Sequence, residues 1–294
     1  MGNVKRSAGE RIFDAVNLTF LTLFAFICLY PFIYILALSF NDGVDAMKGG
    51  VYFLPRQFTL DNYQTIFKDK RLLNSLGVTV FRTVAGTVLG VICNTLYAYA
   101  ISKPDLPYRK VLNWLIVIPM YFGSSLIPYY IICQHLHLIN NIWVYVIPWA
   151  VTPFHIMLLR IAVKELPPSL EESAELDGAS YPVIFIQIIL PLIVPAIATV
   201  ALLSGLFHWN DWFDGTVMTN KSTLWPLQTL LLNIIQGADM SSFMKTGHTL
   251  RKVSITTESV KMAMLVFTVL PIFMIYPFAQ KYFIRGMMVG SVKE

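Results

Sequence analysis

Charged residues are scarce in this sequence. Only 13% of the 294 residues are Asp, Glu, Lys or Arg, whereas 56% are hydrophobic, and the mean hydropathy is +0.61. Soluble domains carry about 25% charged residues, so a soluble globular protein of this composition would lack polar surface. Because the apolar residues form continuous runs rather than alternating with polar ones, the sequence predicts an all-α membrane protein and not a β-barrel.

Motifs for cofactors and catalysis are also lacking. The three cysteines, Cys28, Cys93 and Cys133, lie in apolar segments without a C-x-x-C spacing, which predicts buried side chains and no metal site. There is no G-x-x-x-x-G-K-[ST] phosphate loop and no Ser/His/Asp, H-E-x-x-H or paired-carboxylate arrangement at catalytic spacing. We therefore expect a non-catalytic chain that binds no cofactor, and any ATP and Mg²⁺ would be bound by another subunit.

Six apolar segments are each long enough to cross a bilayer, which requires about 20 helical residues. They lie near 13–40, 74–102, 111–136, 142–163, 193–217 and 260–281. The first is longer than the apolar core of a signal peptide and lacks an A-x-A cleavage site, so we interpret it as a retained span. The prediction is a single membrane domain over residues 1–294, with long polar connections at about 41–74 and 219–259 on one side.

The distribution of positive charge orients this topology. Eleven of the 22 Lys and Arg residues lie on the side of the termini, ten lie on the opposite side, and Arg82 lies within a span. Long loops carry little weight in the positive-inside rule, whereas both tails and the short turn from Lys103 to Lys110 are basic. The termini and the polar loop 164–191 are therefore predicted to face the cytoplasm.

The loop 164–191 has the sequence features of two short helices joined by a turn. Ser169 and Glu172 have the spacing of a capping box, and Gly178 suits the left-handed residue that ends a helix. A second helix can begin near Tyr181 and be interrupted at Pro191, where the fifth span starts. Such an element could transmit a movement, because one end is exposed and the other continues into the membrane.

The same loop closely resembles the E-A-A-x-x-x-G-x9-I-x-L-P signature of ABC importer permeases. The resemblance rests on Glu172, Ser173 in place of the first alanine, Ala174, Gly178, Ile188, Leu190 and Pro191. Further resemblance to maltose-type sugar permeases lies in Pro153-Phe154, in Trp209-Asn210-Asp211 and in a tail that begins at Lys281-Tyr282-Phe283. Within that family the chain looks most like permeases for complex oligosaccharides.

This resemblance implies a type I ABC importer permease with six transmembrane helices and cytoplasmic coupling helices, in the cytoplasmic membrane of a prokaryote. The expected partners are a homologous second permease, two ATPase subunits and an extracytoplasmic sugar-binding protein, with no nucleic acid. The substrate would be an oligosaccharide, and a uronate-type acidic sugar is one option. The residues expected to couple to the ATPase are Glu172, Ser173, Ala174, Asp177, Gly178, Ile188, Leu190 and Pro191.

Ionisable and aromatic residues inside spans identify a candidate substrate path, because such residues are costly in a bilayer and often functional. Arg82 could extend to the interface, pair with a carboxylate in another span or in the partner permease, or contact an acidic sugar. Trp209, Asn210 and Asp211 could bind sugar or belong to an interfacial aromatic belt. The alternative function is an autonomous secondary carrier, although neither paired repeats nor intramembrane carboxylate pairs are evident.

Overall fold

The computed structural model describes residues 8–123, 125–236 and 256–288. Within these ranges every regular element is a helix, and the β structure consists of one isolated antiparallel bridge between Asn41 and Phe58. The all-helical prediction is therefore confirmed. The side chains from Lys281 onward, which include the tail that resembles sugar permeases, and residues 237–255 of the 219–259 connection lie outside the described set.

The helices follow the apolar segments closely, with short helices in the polar connections. Their bounds are α1 Ala8–Ser39, α2 Gly43–Met47, α3 Asp61–Lys68, α4 Lys70–Ser102, α5 Arg109–Tyr121, α6 Leu126–His135, α7 Pro153–Lys164, α8 Ser169–Leu176, α9 Tyr181–Ile184, α10 Leu190–Leu192, α11 Val194–Asn210, α12 Phe213–Val217, α13 Leu227–Ile235 and α14 Thr257–Met288. The 3₁₀ turns are Ile142–Tyr145, Ile147–Trp149 and Ser222–Leu224.

Three of these helices, α1, α4 and α14, are long and apolar enough to cross a membrane by themselves. Two bent pairs raise the number of spans to as many as five: Ile142–Trp149 with Pro153–Lys164, bent by 45°, and Tyr181–Leu192 with Val194–Val217, bent by 78°. The predicted third span is divided into α5 and α6, each shorter than a membrane thickness. Pro119 near the end of α5, which removes a helical hydrogen bond, and the following Gly123 account for the break.

The described chain forms two compact units, Met1–Asp69 with Ile234–Thr268, and Lys70–Asn233 with Val269–Glu294. In the first unit, Asn41 holds the polar connection after α1. Its Oδ1 accepts hydrogen bonds from the backbone N–H of Arg56 (2.8 Å) and Gln57 (2.9 Å), and its Nδ2 donates to Asp45 (3.1 Å). This bond from Asn41 lowers the pKa of the Asp45 carboxyl, which also pairs with Arg56 at 3.0 Å.

In the second unit, α4 packs along α11 and α7. Six buried residues form the core of this packing: Ala98, Ile101, Ile116, Ile156, Leu159 and Val200. Gly86 allows α4 and α11 to approach closely, because a Cβ at this position would overlap the imidazole ring of His208. Small residues serve the same purpose at helix contacts in other membrane proteins.

Candidate functional site

The loop 164–191 begins with α8, whose start differs from the predicted capping box. Pro168 is the N-cap residue, Ser169 is already helical, and no side chain caps the helix. The backbone N–H of Glu172 donates to the carbonyl of Pro168 at 3.1 Å rather than to Ser169. The capping-box prediction is wrong because proline, with its φ of −57° here, is preset for helical backbone and starts the helix early.

The end of α8 agrees with the prediction. Gly178 has a φ of +81°, in the left-handed region where residues with a side chain are strained. The N–H of Ala179 donates to the carbonyl of Ala174 and that of Gly178 donates to the carbonyl of Glu175, both at 3.0 Å. This pair of hydrogen bonds is a Schellman motif, which turns the chain sharply and satisfies the last carbonyls of the helix.

The second half of the loop returns to the membrane through an irregular helix. Ser180 is the N-cap of α9, a π-helical segment Phe185–Ile189 follows, and α10 ends just before the 78° bend into α11. Pro191 and Pro195 flank this bend, and the sequence had predicted the interruption at Pro191. Isolated π turns are rare and occur often at functional sites.

The residues expected to couple to the ATPase divide into a packed and an exposed set. Ala174 is buried, and Ile188 and Leu190 pack on the same apolar cluster, which also contains Tyr99 and Phe185. The exposed set consists of Glu172, Ser173, Asp177, Gly178 and Pro191. The packed members therefore fix the shape of the loop, while the exposed members remain accessible on its surface.

Leu176 was not among the predicted site residues, yet its side chain is the most exposed large apolar group described, at 89%. It lies at the tip of α8, beside the exposed Asp177 and Gly178. Single exposed apolar residues are common on protein surfaces, so Leu176 is notable for its position at the tip of the loop rather than for its exposure alone. The alternation of apolar and polar positions along α8 is the signal in the sequence that could have identified Leu176 as an exposed residue.

A second constellation lies where α11 ends, around the guanidinium of Arg82. The Arg82 side chain has no exposed surface, and its Nη2 lies 2.7 Å from Asp211 Oδ2 and 3.7 Å from Asp214 Oδ2. Its Nη1 donates to the backbone carbonyl of Asp211 at 2.9 Å. The guanidinium also lies over the ring of Tyr145, 4.6 Å from the centroid. Arg82 thus pairs with carboxylates of the same chain, and the alternative that it extends to the interface is wrong.

The other carboxylate, Asp214, is held by aromatic side chains. Its Oδ2 accepts a hydrogen bond from Trp149 Nε1 (2.7 Å), and its Oδ1 accepts one from the hydroxyl of Tyr129 (3.2 Å). Asp214 was not predicted as a site residue. Two features of the sequence could have identified it, namely the single arginine in a span, which requires compensating charge, and the position of Asp214 three residues after Asp211.

The other candidate residues of the substrate path differ in how far their side chains are exposed. Trp209 is buried, with 8% of its surface exposed, so it does not belong to an interfacial belt of this chain. Asn210 is exposed and donates to the carbonyl of Leu206. Trp212 is 47% exposed and fits the interfacial alternative better. The sequence therefore located the cluster but not which of its members face outward.

Long apolar helices, two bent helix pairs and an exposed polar loop between two apolar segments define the class as a multi-pass membrane protein. A family model described as "Binding-protein-dependent transport system inner membrane component" matches residues 1–289. The chain belongs to this family. The resemblance inferred from the loop signature is thereby confirmed, as is the membrane location.

Individual relatives cover nearly the whole chain. The polygalacturonan/rhamnogalacturonan transport system permease protein YtcP of Bacillus subtilis is 37% identical over 97% of this chain and 99% of its own length. Protein LplC of the same organism is 36% identical over 96% and 95%. A crystal structure of a bacterial ABC transporter involved in the import of the acidic polysaccharide alginate matches with a TM-score of 0.86 and 32% identity, over 96% of this chain and 100% of the matched chain.

Proposed function

We propose that this chain is a permease subunit of an ATP-driven importer whose substrates are acidic, uronate-type oligosaccharides. The similarity to two transporters of polyuronates carries this proposal: one for polygalacturonan, at 37% identity, and one for alginate, with a TM-score of 0.86. Both similarities extend over almost the entire length of the chains, so they include the membrane segments as well as the loop. Substrate delivery by an extracytoplasmic sugar-binding protein is part of the proposal.

The exposed face of α8 is the proposed contact with the ATPase subunit. Glu172, Ser173, Asp177 and Gly178 would bind it through polar groups, and the exposed Leu176 would fill an apolar recess. Ala174, Ile188 and Leu190 would hold the loop in the required shape, because they pack in its apolar cluster. ATP and Mg²⁺ would be bound by the two ATPase subunits, and hydrolysis would change the orientation of the spans through this contact.

The proposed topology has six spans, with both termini and the loop 164–191 in the cytoplasm. In this arrangement α5 and α6 together form the third span, interrupted near Gly123, and a homologous second permease completes the translocation path. Exposed apolar side chains on α1, such as Phe13, Leu18 and Phe24, are available for contact with lipid or with that second permease.

The proposal is tested by uptake into vesicles that contain the chain with its co-purifying subunits. We expect ATP-dependent uptake of labelled oligogalacturonate in the presence of the binding protein, and much weaker uptake of a neutral arabino-oligosaccharide of equal length. Preferential uptake of the neutral sugar would refute the acidic substrate but not the importer. Uptake that continues without any ATPase subunit would instead establish an autonomous carrier.

A further inference from the structure

Lys103 follows the last residue of α4 directly and lies against both halves of the loop 164–191. Its ammonium group donates to the carboxylate of Glu171 in α8. The same Nζ lies 4.8 Å from the ring centroid of Tyr99 in α4 and 5.2 Å from that of Tyr181 in α9. One cation therefore contacts α4, α8 and α9, which are separate in sequence.

This contact differs from an ordinary surface ion pair. The Lys103 and Glu171 side chains retain only 17% and 24% of their exposed surface, and two aromatic faces enclose the ammonium group. Burial alone would lower the pKa of Lys103, but the interactions with Glu171 and Tyr99 together outweigh burial and raise the pKa above its ordinary value. Exposed pairs contribute little, whereas partly desolvated pairs with cation–π contacts are stronger and geometrically specific.

The helix that ends one residue before Lys103 also contains Arg82. Helix α4 runs without proline from Lys70 to Ser102, and Arg82 within it holds Asp211 at the end of α11. A displacement of α8 that is transmitted through Glu171 to Lys103 would therefore move a helix that is also bound to the charged end of α11. Such rigid connections between two contacts are what coupling between distant sites requires.

We propose that Lys103 is a positioning residue for energy coupling: its pairing with Glu171, between the rings of Tyr99 and Tyr181, transmits movement of α8 to α4. This inference rests on the proposed importer function. It assigns to Lys103 a role distinct from binding the ATPase, because the exposed residues of α8 make that contact. Loss of the pair should therefore leave the complex assembled and ATP hydrolysis active, while sugar uptake no longer follows hydrolysis.

The test compares Lys103→Met, Glu171→Gln and the exchanged pair Lys103→Glu/Glu171→Lys with wild type. Lys110→Met is the control, because Lys110 is an exposed cation near the same end of the second unit. Each variant is co-purified with its subunits and reconstituted in vesicles. Two quantities are measured, namely recovery of the ATPase subunit and labelled oligogalacturonate taken up per ATP hydrolysed.

We expect normal ATPase recovery in both single variants and at least about a fivefold fall in sugar per ATP, the lower end of typical coupling effects. The exchanged pair restores the ion pair without the cation–π contacts, so its ratio should lie above that of the single variants and below that of wild type, and Lys110→Met should not differ from wild type. If a single variant fails to assemble, the test of the proposal rests on the ATPase recovery and the sugar uptake per ATP of the exchanged pair. Restored assembly with at least partly restored sugar uptake per ATP supports the proposal.

Three results would overturn it: an unchanged ratio in Lys103→Met, an exchanged pair no better than the single variants, or loss of the ATPase from all three. The last result would mean that Lys103 contacts the ATPase directly. None of these results affects the importer proposal, provided that the wild type shows ATP-dependent uptake. Wild-type vesicles without such uptake would refute the importer proposal itself.

Discussion

Replacement of Arg82 by methionine should destabilise the protein severely. The side chain has no exposed surface and compensates two carboxylates, Asp211 at 2.7 Å and Asp214 at 3.7 Å. Methionine fills a similar volume but removes the charge, so both carboxylates remain at the site without a cation. Asp214 has no exposed surface and cannot recover its hydration by a small movement.

The magnitude follows from the number of charges left behind. Breaking a buried ion pair by removing one partner typically costs about 3–5 kcal/mol, and two unit charges 4 Å apart interact with about 4 kcal/mol at an effective dielectric constant of about 20. We therefore expect Arg82→Met to lose at least about 3 kcal/mol of unfolding free energy. This is more than a hundredfold change in the equilibrium between folded and unfolded protein.

The assay is denaturant unfolding of the purified chain in mild detergent, followed by tryptophan fluorescence. The triple variant Arg82→Met/Asp211→Asn/Asp214→Asn removes the whole group of charges and should recover most of the loss, because replacing a complete buried ion group is often nearly neutral. Lys110→Met, at an exposed position, should change little. An Arg82→Met protein as stable as this control, or a triple variant no more stable than Arg82→Met, would refute the account of the cluster.

Three further changes test the loop and the helix packing. Gly178→Ala introduces a side chain at a φ of +81° and should cost about 1–2 kcal/mol locally, measured as faster proteolysis of the loop; equal cleavage rates would contradict this. Gly86→Ala should lower the unfolding midpoint because its Cβ meets a buried imidazole ring, whereas Gly77→Ala, with nothing within 4 Å, should be neutral or stabilising; the reverse order would show that the packing is wrong. Asn41→Ala removes the hydrogen bond that lowers the Asp45 pKa. In wild type the contribution of this carboxylate to stability is present above pH 3.8 and is lost only as the pH falls below that value, so in the variant it should be lost at a higher pH. Identical acid proteolysis profiles of the two proteins would exclude this role.

The sequence was sufficient for the features that local backbone chemistry determines. Gly178 ends α8 in the left-handed region, and Pro191 and Pro195 flank the bend into α11, because each of these residues restricts its own backbone. The capping box failed for the same kind of reason. Pro168 precedes Ser169 and starts the helix first, so a local motif was displaced by a stronger neighbour.

Features that depend on helix packing could not be obtained in this way. The carboxylate partners of Arg82 are 129 residues away or more, and their choice depends on how α4 packs along α11. Likewise, nothing adjacent to Lys103 indicates that Glu171 and Tyr181 will meet it. Charge balance predicts that a buried arginine needs a carboxylate, but only the tertiary structure identifies which one.

The most direct test of the central claim is affinity purification of the tagged chain from mild detergent, with mass spectrometry of the proteins that accompany it. If the loop 164–191 couples this chain to an ATPase, an ATPase with a phosphate loop and a second permease should be recovered. The ATPase should be lost when Glu172 and Gly178 are both changed, while the second permease is retained. A stable single chain that recovers no ATPase and still moves solute in vesicles would contradict the account.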